Sequence, residues 1–311
     1  MRLSMVALVF ISVSCAAQAR PPIFGVSHIA VYASDPAQAE HFYAEQLGLR
    51  KGADPERPDG ACYFVNQEQY VEVLPLPAGA GDNRLDHIAW MTKDAEALRG
   101  YLGAHGVAVP EDVRRGTDGT LWFEVKDPEG NKVEFVQPPA DLLAEPPEKL
   151  LTLTGADPIG RRMIHVGMVV HDRAKEDTFY RGVLGFKPYW FGGMHEDRPQ
   201  WVSQQVPDGH DWLEYMLPTP SDSTPLSQKA MGVMNHFSIA VVNMEQTVTT
   251  LYAGDRLGDA AARPQIGRDG KWQFNLYDPD GTRAELMEYS AAAKPCCSAF
   301  TAADPTPTGQ P

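Results

Sequence analysis

The sequence lacks the signatures of the commonest catalytic scaffolds. It has no G-x-S-x-G nucleophile elbow, no G-x-x-x-x-G-K-[ST] phosphate loop and no G-x-G-x-x-G after a strand. Only 4 of its 311 residues are cysteine, too few for a fold held by disulfides. Positive charge is also short. Lys and Arg number 27 against 41 Asp and Glu, a net charge of −14. A nucleic-acid surface needs a basic footprint and an anionic membrane attracts polybasic segments, so neither is expected as a partner. Beyond the N-terminus no apolar run is long enough to cross a bilayer. What remains is globular: 43% hydrophobic and 22% charged residues, with a length that suits two ordinary domains.

The N-terminus reads as a targeting segment. Arg2 precedes an apolar stretch, Met5 to Val13, and Ala17-Gln18-Ala19 forms an A-x-A cleavage site. Residues 1–19 are expected to be a signal peptide cut after Ala19, leaving a secreted or periplasmic chain. Ser12-Val13-Ser14 before Cys15 lacks the leading Leu of a lipoprotein site. Cleavage leaves Cys62, Cys296 and Cys297, an odd set, so at least one thiol stays unpaired or pairs between chains.

The mature chain is a repeat. VSHIAVYASDPAQAEHFYAEQLGL (Val26 to Leu49) lies without a gap on MIHVGMVVHDRAKEDTFYRGVLGF (Met163 to Phe186) at a constant offset of 137 residues. His28 falls on His165, Phe42-Tyr43 on Phe179-Tyr180, and Leu47-Gly48 on Leu184-Gly185. Two more His-bearing strands, LDHIAWM with His87 and MNHFSIAV with His236, each lead to an Asp-Pro-acid-Gly turn and a Glu-bearing strand. Those strands carry Glu134 and Glu285; the earlier strands QYVEVLP and DWLEYML carry Glu72 and Glu214. The four His-to-Glu separations are 44, 47, 49 and 49 residues.

Each unit therefore reads strand–helix–strand–strand–strand, and the fold class is α+β: four βαβββ modules paired into two cupped mixed sheets. Residues 20–138 form the first pair and 160–290 the second. Residues 139–159, rich in Pro, form the linker. Residues 291–311, small and Pro-rich, are expected to be disordered, with Cys296-Cys297 an incidental pair. Helices are expected near 36–47, 93–105, 173–183 and 244–251. The loop Trp190 to Gln200 is long, aromatic and charged, as binding loops often are.

Strand alternation assigns faces. The His side of each first strand carries a small residue two positions on: Ala30, Ala89, Gly167 and Ser238. The other side carries bulk, such as Ile29, Trp90, Met168 and Phe237. A cavity on the His side follows. Glu72, Glu134, Glu214 and Glu285 fall on the cup side of their strands, with Glu288 facing away. One buried carboxylate costs several kcal/mol unless paired or bound to a cation. Four, each matched to a His in its own unit, are better explained as metal ligands. Two His and two Glu per pair suit a divalent first-row ion with positions left for water or substrate: Zn, Ni, Mn, Co or Fe(II). Histidines 41, 105, 171, 195 and 210 do not recur by unit and are assigned to the surface, with His195 and His210, near the long loop or its strand, as candidates for substrate contact.

At these residues the chain resembles the vicinal oxygen chelate superfamily, the glyoxalase, bleomycin-resistance and extradiol-dioxygenase group. The first-strand His, the helix ending FY-x-x-x-LG and the DP-x-G-x-x-x-E strand carry the resemblance, over about Ile23 to Tyr289. It implies one metal per pair of modules. His28, Glu72, His87 and Glu134 would form one set, and His165, Glu214, His236 and Glu285 the other. Some members swap modules, so first-with-fourth and second-with-third is the alternative grouping. A His2Glu2 set resembles the glyoxalase I and epimerase branch, where a ligand Glu moves a proton on a small carbonyl substrate. Glu134 and Glu285 are the expected proton carriers. Export sets lactoylglutathione aside as the substrate. The alternatives are an Fe(II) extradiol ring-cleaving dioxygenase and a non-catalytic small-molecule binder of the bleomycin-resistance type. A monomer or a homodimer is expected.

Overall fold

A computed structural model describes residues 19–146, 149, 158–257 and 263–307. The expected signal segment, up to residue 18, lies outside the described residues.

The first half supplies β1 (Ile23–Ala33), β2 (Arg50–Ala53), β3 (Ala61–Phe64), β4 (Tyr70–Pro75), β5 (Leu85–Thr92), β6 (Arg114–Arg115), β7 (Leu121–Lys126) and β8 (Lys132–Gln137). The second supplies β9 (Arg162–Val169), β10 (Lys187–Gly192), β11 (Trp201–Gln205), β12 (Trp212–Met216), β13 (His236–Val241), β14 (Gln265–Ile266), β15 (Trp272–Tyr277) and β16 (Arg283–Glu288). They form two curled eight-stranded mixed sheets, β2-β3-β4-β1-β5-β8-β7-β6 and β10-β11-β12-β9-β13-β16-β15-β14. The His strands sit at each centre. β1 pairs antiparallel with β5 and parallel with β4; β9 does the same with β13 and β12. Modules therefore share sheets first-with-second and third-with-fourth, which decides between the two groupings.

The helices behind the sheets begin where capping chemistry allows. Asp35 accepts from the N–H groups of Ala37 and Gln38 with Pro36 in the first turn, and Asp172 accepts from Lys175 N–H. Both helices change pitch midway. Pro36–Glu40 is α-helical and His41–Gln46 is π-helical; Arg173–Asp177 and Thr178–Val183 repeat the change. The wider turn closes through Leu47 N–H to Phe42 C=O and Leu184 N–H to Phe179 C=O, both at 2.9 Å. It buries both aromatic residues of each Phe-Tyr pair, and the chain then reverses at Gly48 and Gly185 with φ of 72° and 80°. The other two expected helices run Ala95–Ala104 and Met244–Ala253. A further helix, Gln228–Met234, immediately precedes β13. Ser227 caps it by accepting from Ala230 N–H.

The bulky strand faces of both halves merge into one core that includes Ile29, Trp90, Val166 and Phe237. Turns then join the halves crosswise. In the module 2 turn, Glu129 accepts from the backbone N–H groups of His171 and Asp172 at the start of the module 3 helix. In the module 4 turn, Asp280 accepts from Ser34 N–H at 2.7 Å and Asp278 accepts from the Tyr43 hydroxyl at 2.8 Å.

Residues 291–307, expected to be disordered, instead lie along β10. Thr301 N–H bonds Tyr189 C=O at 3.0 Å, and Phe300 packs on the Tyr189 ring. The buried Lys271 ammonium contacts Asp304 at 2.7 Å and Tyr289 C=O at 2.7 Å. Composition gave no sign of this because the anchors are a few specific contacts, a buried ion pair, a ring contact and single hydrogen bonds, rather than a periodic apolar face. Cys296 and Cys297 are joined in a disulfide, and Cys62 is free and buried.

Candidate metal centre

The register brings the expected ligands together in two sets. Ala30 on β1 lies opposite both His87 and Glu72, and Ala89 on β5 lies opposite both His28 and Glu134. The second half repeats this with Gly167 opposite His236 and Glu214, and Ser238 opposite His165 and Glu285. The small residues make room for the rings. At Gly167 the fit is closest, since a Cβ there would overlap the His236 imidazole.

In the first set His28 Nε2 and His87 Nε2 are 2.9 Å apart. Glu134 lies 3.4 Å from His28 and 3.6 Å from His87; Glu72 lies 3.7 and 3.4 Å from the same two nitrogens. In the second set His165 Nε2 and His236 Nε2 are 3.0 Å apart. Glu285 lies 3.1 Å from His165 and 3.9 Å from His236, and Glu214 3.5 Å from His236. Aromatic faces steady the first ring of each set: Tyr70 stacks on His28 at 4.4 Å and Trp212 on His165 at 4.6 Å.

The chemistry of these donors fits a divalent ion. His87 Nδ1 donates to the Asp86 carboxylate and His236 Nδ1 to Met234 C=O, each at 2.8 Å. Both partners only accept, so each Nε2 presents a lone pair to the other ring of its set. Two nitrogens held about 2.1 Å from one metal at a right angle lie about 3 Å apart. Both carboxylate oxygens of Glu134 are buried without a hydrogen-bond partner among the described residues. Burial lowers the pKa of all four histidines, keeping them neutral as ligands must be. Burial also raises Glu72 to about 10 and Glu214 to about 8, and holds Glu134 well above the carboxylate range. Burial would raise Glu285 too, but the Arg283 guanidinium and the bond from His165 outweigh it and hold it low.

The two sets differ in what covers them. The loop between β2 and β3, tied down by Asp54 accepting from Glu56 and Arg57 N–H, lays Arg57 over the first set. Arg57 donates to both oxygens of Glu72 at 3.0 and 3.2 Å and to Glu124 at 3.0 Å. In the second set Ser203 Oγ donates to Glu214 at 3.3 Å, and a cavity of about 320 Å³ opens beside Glu214 and Glu285. Trp190, Trp201, Asn275, Arg283, Glu214 and Glu285 line it. Met194, from the loop expected to bind ligand, also reaches this cavity.

Among the remaining histidines, 41, 105, 171 and 195 are exposed and His210 is half-buried near Ala303 C=O. Glu288 turns away from the cup and accepts from Met244 N–H. Arg57 and Arg283 were not singled out in the sequence. Arg283 carried a signal, standing two residues before Glu285 and so on the same strand face. Arg57, on a loop, carried none.

Solved structures share the fold. A catechol 2,3-dioxygenase is 16% identical with a TM-score of 0.63, over 93% of this chain and 96% of that one. The Mn(II)-bound glyoxalase from Novosphingobium aromaticivorans is 17% identical with a TM-score of 0.63, over 93% and 90%. Homoprotocatechuate 2,3-dioxygenase from Brevibacterium fuscum, complexed with 3,4-dihydroxyphenylacetate, is 15% identical with a TM-score of 0.60, over 86% and 81%. No curated protein matches the chain at the level of sequence. The Glyoxalase/Bleomycin resistance protein/Dioxygenase superfamily profile matches residues 25–135 and 162–286. With the profile spanning both cups and the paired-module sheets behind them, the chain belongs to that superfamily.

Proposed function

We propose that the second half is a divalent-metal enzyme centre that moves a proton on a small oxygenated substrate. The observation that carries this reading is the fourth donor, Glu214, on the wall of an open cavity. Two His and two Glu leave room for a substrate's paired oxygens, whereas oxygen activation beside a bound catechol asks for a further position. A divalent ion bound there would act as a Lewis acid on a substrate carbonyl. His165 and His236 hold that ion's place as neutral donors. Either carboxylate of the set can take and return the proton. Geometry favours Glu214 over Glu285, the residue expected from the sequence, because its side chain is 13% exposed against 3%. Trp190 and Trp201 narrow the cavity and limit water. The first half, with Arg57 seated on Glu72, is proposed to hold no working centre, so Glu134 has no proton to move.

The test is metal content by mass spectrometry on protein purified without chelator, followed by deuterium wash-in to α-hydroxycarbonyl compounds in D2O. About one equivalent of metal is expected, lost in His236→Ala. Wash-in should vanish in Glu214→Gln while metal is retained. Absence of metal, with none taken up from Zn, Ni, Mn or Fe(II), would remove the enzyme reading and leave a binding protein.

A second reading is ring cleavage. The short contacts His165–His236 and His165–Glu285, at 3.0 and 3.1 Å, form a two-His-one-carboxylate group by themselves. Oxygen uptake with catechols by Fe(II)-loaded protein, unaffected by Glu214→Ala, would select it over proton transfer. Export is part of the proposal. It rests on residues 1–19 and is supported by the Cys296–Cys297 disulfide, a bond that persists in oxidising compartments.

A further inference from the structure

The second cavity holds a guanidinium that lies near Glu285 but is not saturated by hydrogen bonds. Arg283 on β16 pairs in register with His236 on β13, and its side chain lines the cavity beside Glu285. Its Nε and Nη2 atoms are buried without a hydrogen-bond partner among the described residues. An unfilled charged donor is costly, and native structures rarely keep one unless something completes it. Trp190 Nε1 is buried and unpartnered on the same wall.

The first half shows what is missing. There the matching residue is Lys132, opposite His87, and its ammonium contacts Asp86 at 2.8 and 3.1 Å. The residue matching Asp86 is Asn235, which precedes His236 as Asp86 precedes His87. Asn235 is neutral, and its side chain is engaged with Val169 N–H and Asn83. The internal counter-ion has been removed on the side with the open cavity. With a divalent cation in place, Glu214 and Glu285 balance the metal and Asp269 offsets Arg268 on the same wall, so Arg283 leaves the site one positive charge in excess. Trp190 and Trp201 add two indole rings to the lining of the same cavity.

We propose that this centre takes a small organic acid with a planar apolar body, its carboxylate seated on Arg283 and its flat face against Trp190 and Trp201. The proposal rests on the metal reading above and adds the substrate class. A bidentate guanidinium–carboxylate contact is the geometry Arg offers best, and 320 Å³ is room for a single-ring acid.

Benzoate and its neutral isostere benzamide test it, titrated calorimetrically into the Mn(II)-loaded full chain with metal content measured on the same samples. Benzoate is expected to bind at least about tenfold tighter, as one charge-assisted pair allows. Arg283→Gln should abolish that difference and Arg283→Lys should keep part of it, which separates a binding role from lost folding. Trp201→Ala should weaken both probes alike. Equal binding of the two probes, or a benzoate preference that survives Arg283→Gln, would overturn the carboxylate seat. Unchanged affinity in Trp201→Ala would overturn the planar face. Failure to take up Mn(II) would defeat the metal reading itself, whereas uptake without benzoate preference would defeat only the substrate class.

Discussion

At the scale of single residues, the centre is a set of groups that burial alone would leave uncharged. Without a cation, Glu214 is raised to about 8, so the folded chain keeps a proton that the unfolded chain gives up near pH 4.5. The folded state then binds more protons than the unfolded one, and stability falls as pH rises through that range. The histidines, shifted down, act in the opposite sense, but only below about pH 6.5, where unfolded imidazoles protonate. Between pH 7 and 8 the histidines no longer contribute and the raised carboxylates of the centre set the direction. Chelator-treated protein is expected to melt a few degrees lower at pH 8 than at pH 7, at about 2–4 °C per kcal/mol. Metal-loaded protein should not show the fall. A chelated melting point that rose over the same interval would mean these carboxylates are already ionised. Gly167→Ala should displace the His236 ring and lose metal while the sheet survives, read as metal per chain beside an unchanged far-ultraviolet dichroism spectrum. Retained metal would show that the ring had another place to go. The eight side chains converge where the sequence put them because strand period and repeat offset are both local rules. Arg57 was not legible, since its reach to Glu72 depends on how a loop folds back. The pairing of Lys132 with Asp86 was equally hidden, because only the register places the two side by side.

At the scale of elements, the β2–β3 loop is what sets the halves apart. Its Arg57 donates to Glu72 and to Glu124 across the first cup, so it would compete with a cation for Glu72. Removing it in Arg57→Ala should raise metal from about one to about two equivalents per chain, with the additional ion lost again on His87→Ala. An unchanged count would mean that something other than Arg57 keeps metal out. The helices carry a related lesson. Caps at Asp35 and Asp172 and stops at Gly48 and Gly185 were legible because they are local. The π-turns between them were not. Propensity does not distinguish a wide turn from an ordinary one, and these turns exist because Phe42-Tyr43 and Phe179-Tyr180 must reach a core that only the assembled sheets define.

At the scale of the whole molecule, the C-terminal segment is a strap rather than a free tail. Lys271 is fully buried, and Asp304 is the carboxylate that answers it. Asp304→Ala should cost about 3–5 kcal/mol, the penalty of stranding a buried charge, and lower the urea midpoint accordingly. A loss below about 1 kcal/mol would mean that Lys271 sheds its proton instead, as its burial-lowered pKa allows. The pair architecture was legible because it repeats along the chain. Which modules share a sheet was not, since both groupings satisfy the same pattern and only hydrogen-bond register chooses.

The crosswise turns give the assembly a further property. Sheets join module 1 to 2 and 3 to 4, while turns join 2 to 3 and 4 to 1. The four modules thus close into a ring in which two kinds of joint alternate. The Glu129 joint and the Asp278–Asp280 joint are one contact made twice, as an isologous interface between two copies would make it. In that sense the chain resembles a dimer carried on a single polypeptide, its halves held by the sheets' shared core and the two turn joints. A chain nicked within the link at residues 139–159 should stay assembled and keep its second cavity, because among the described residues the sheet pairings and the two turn joints lie elsewhere.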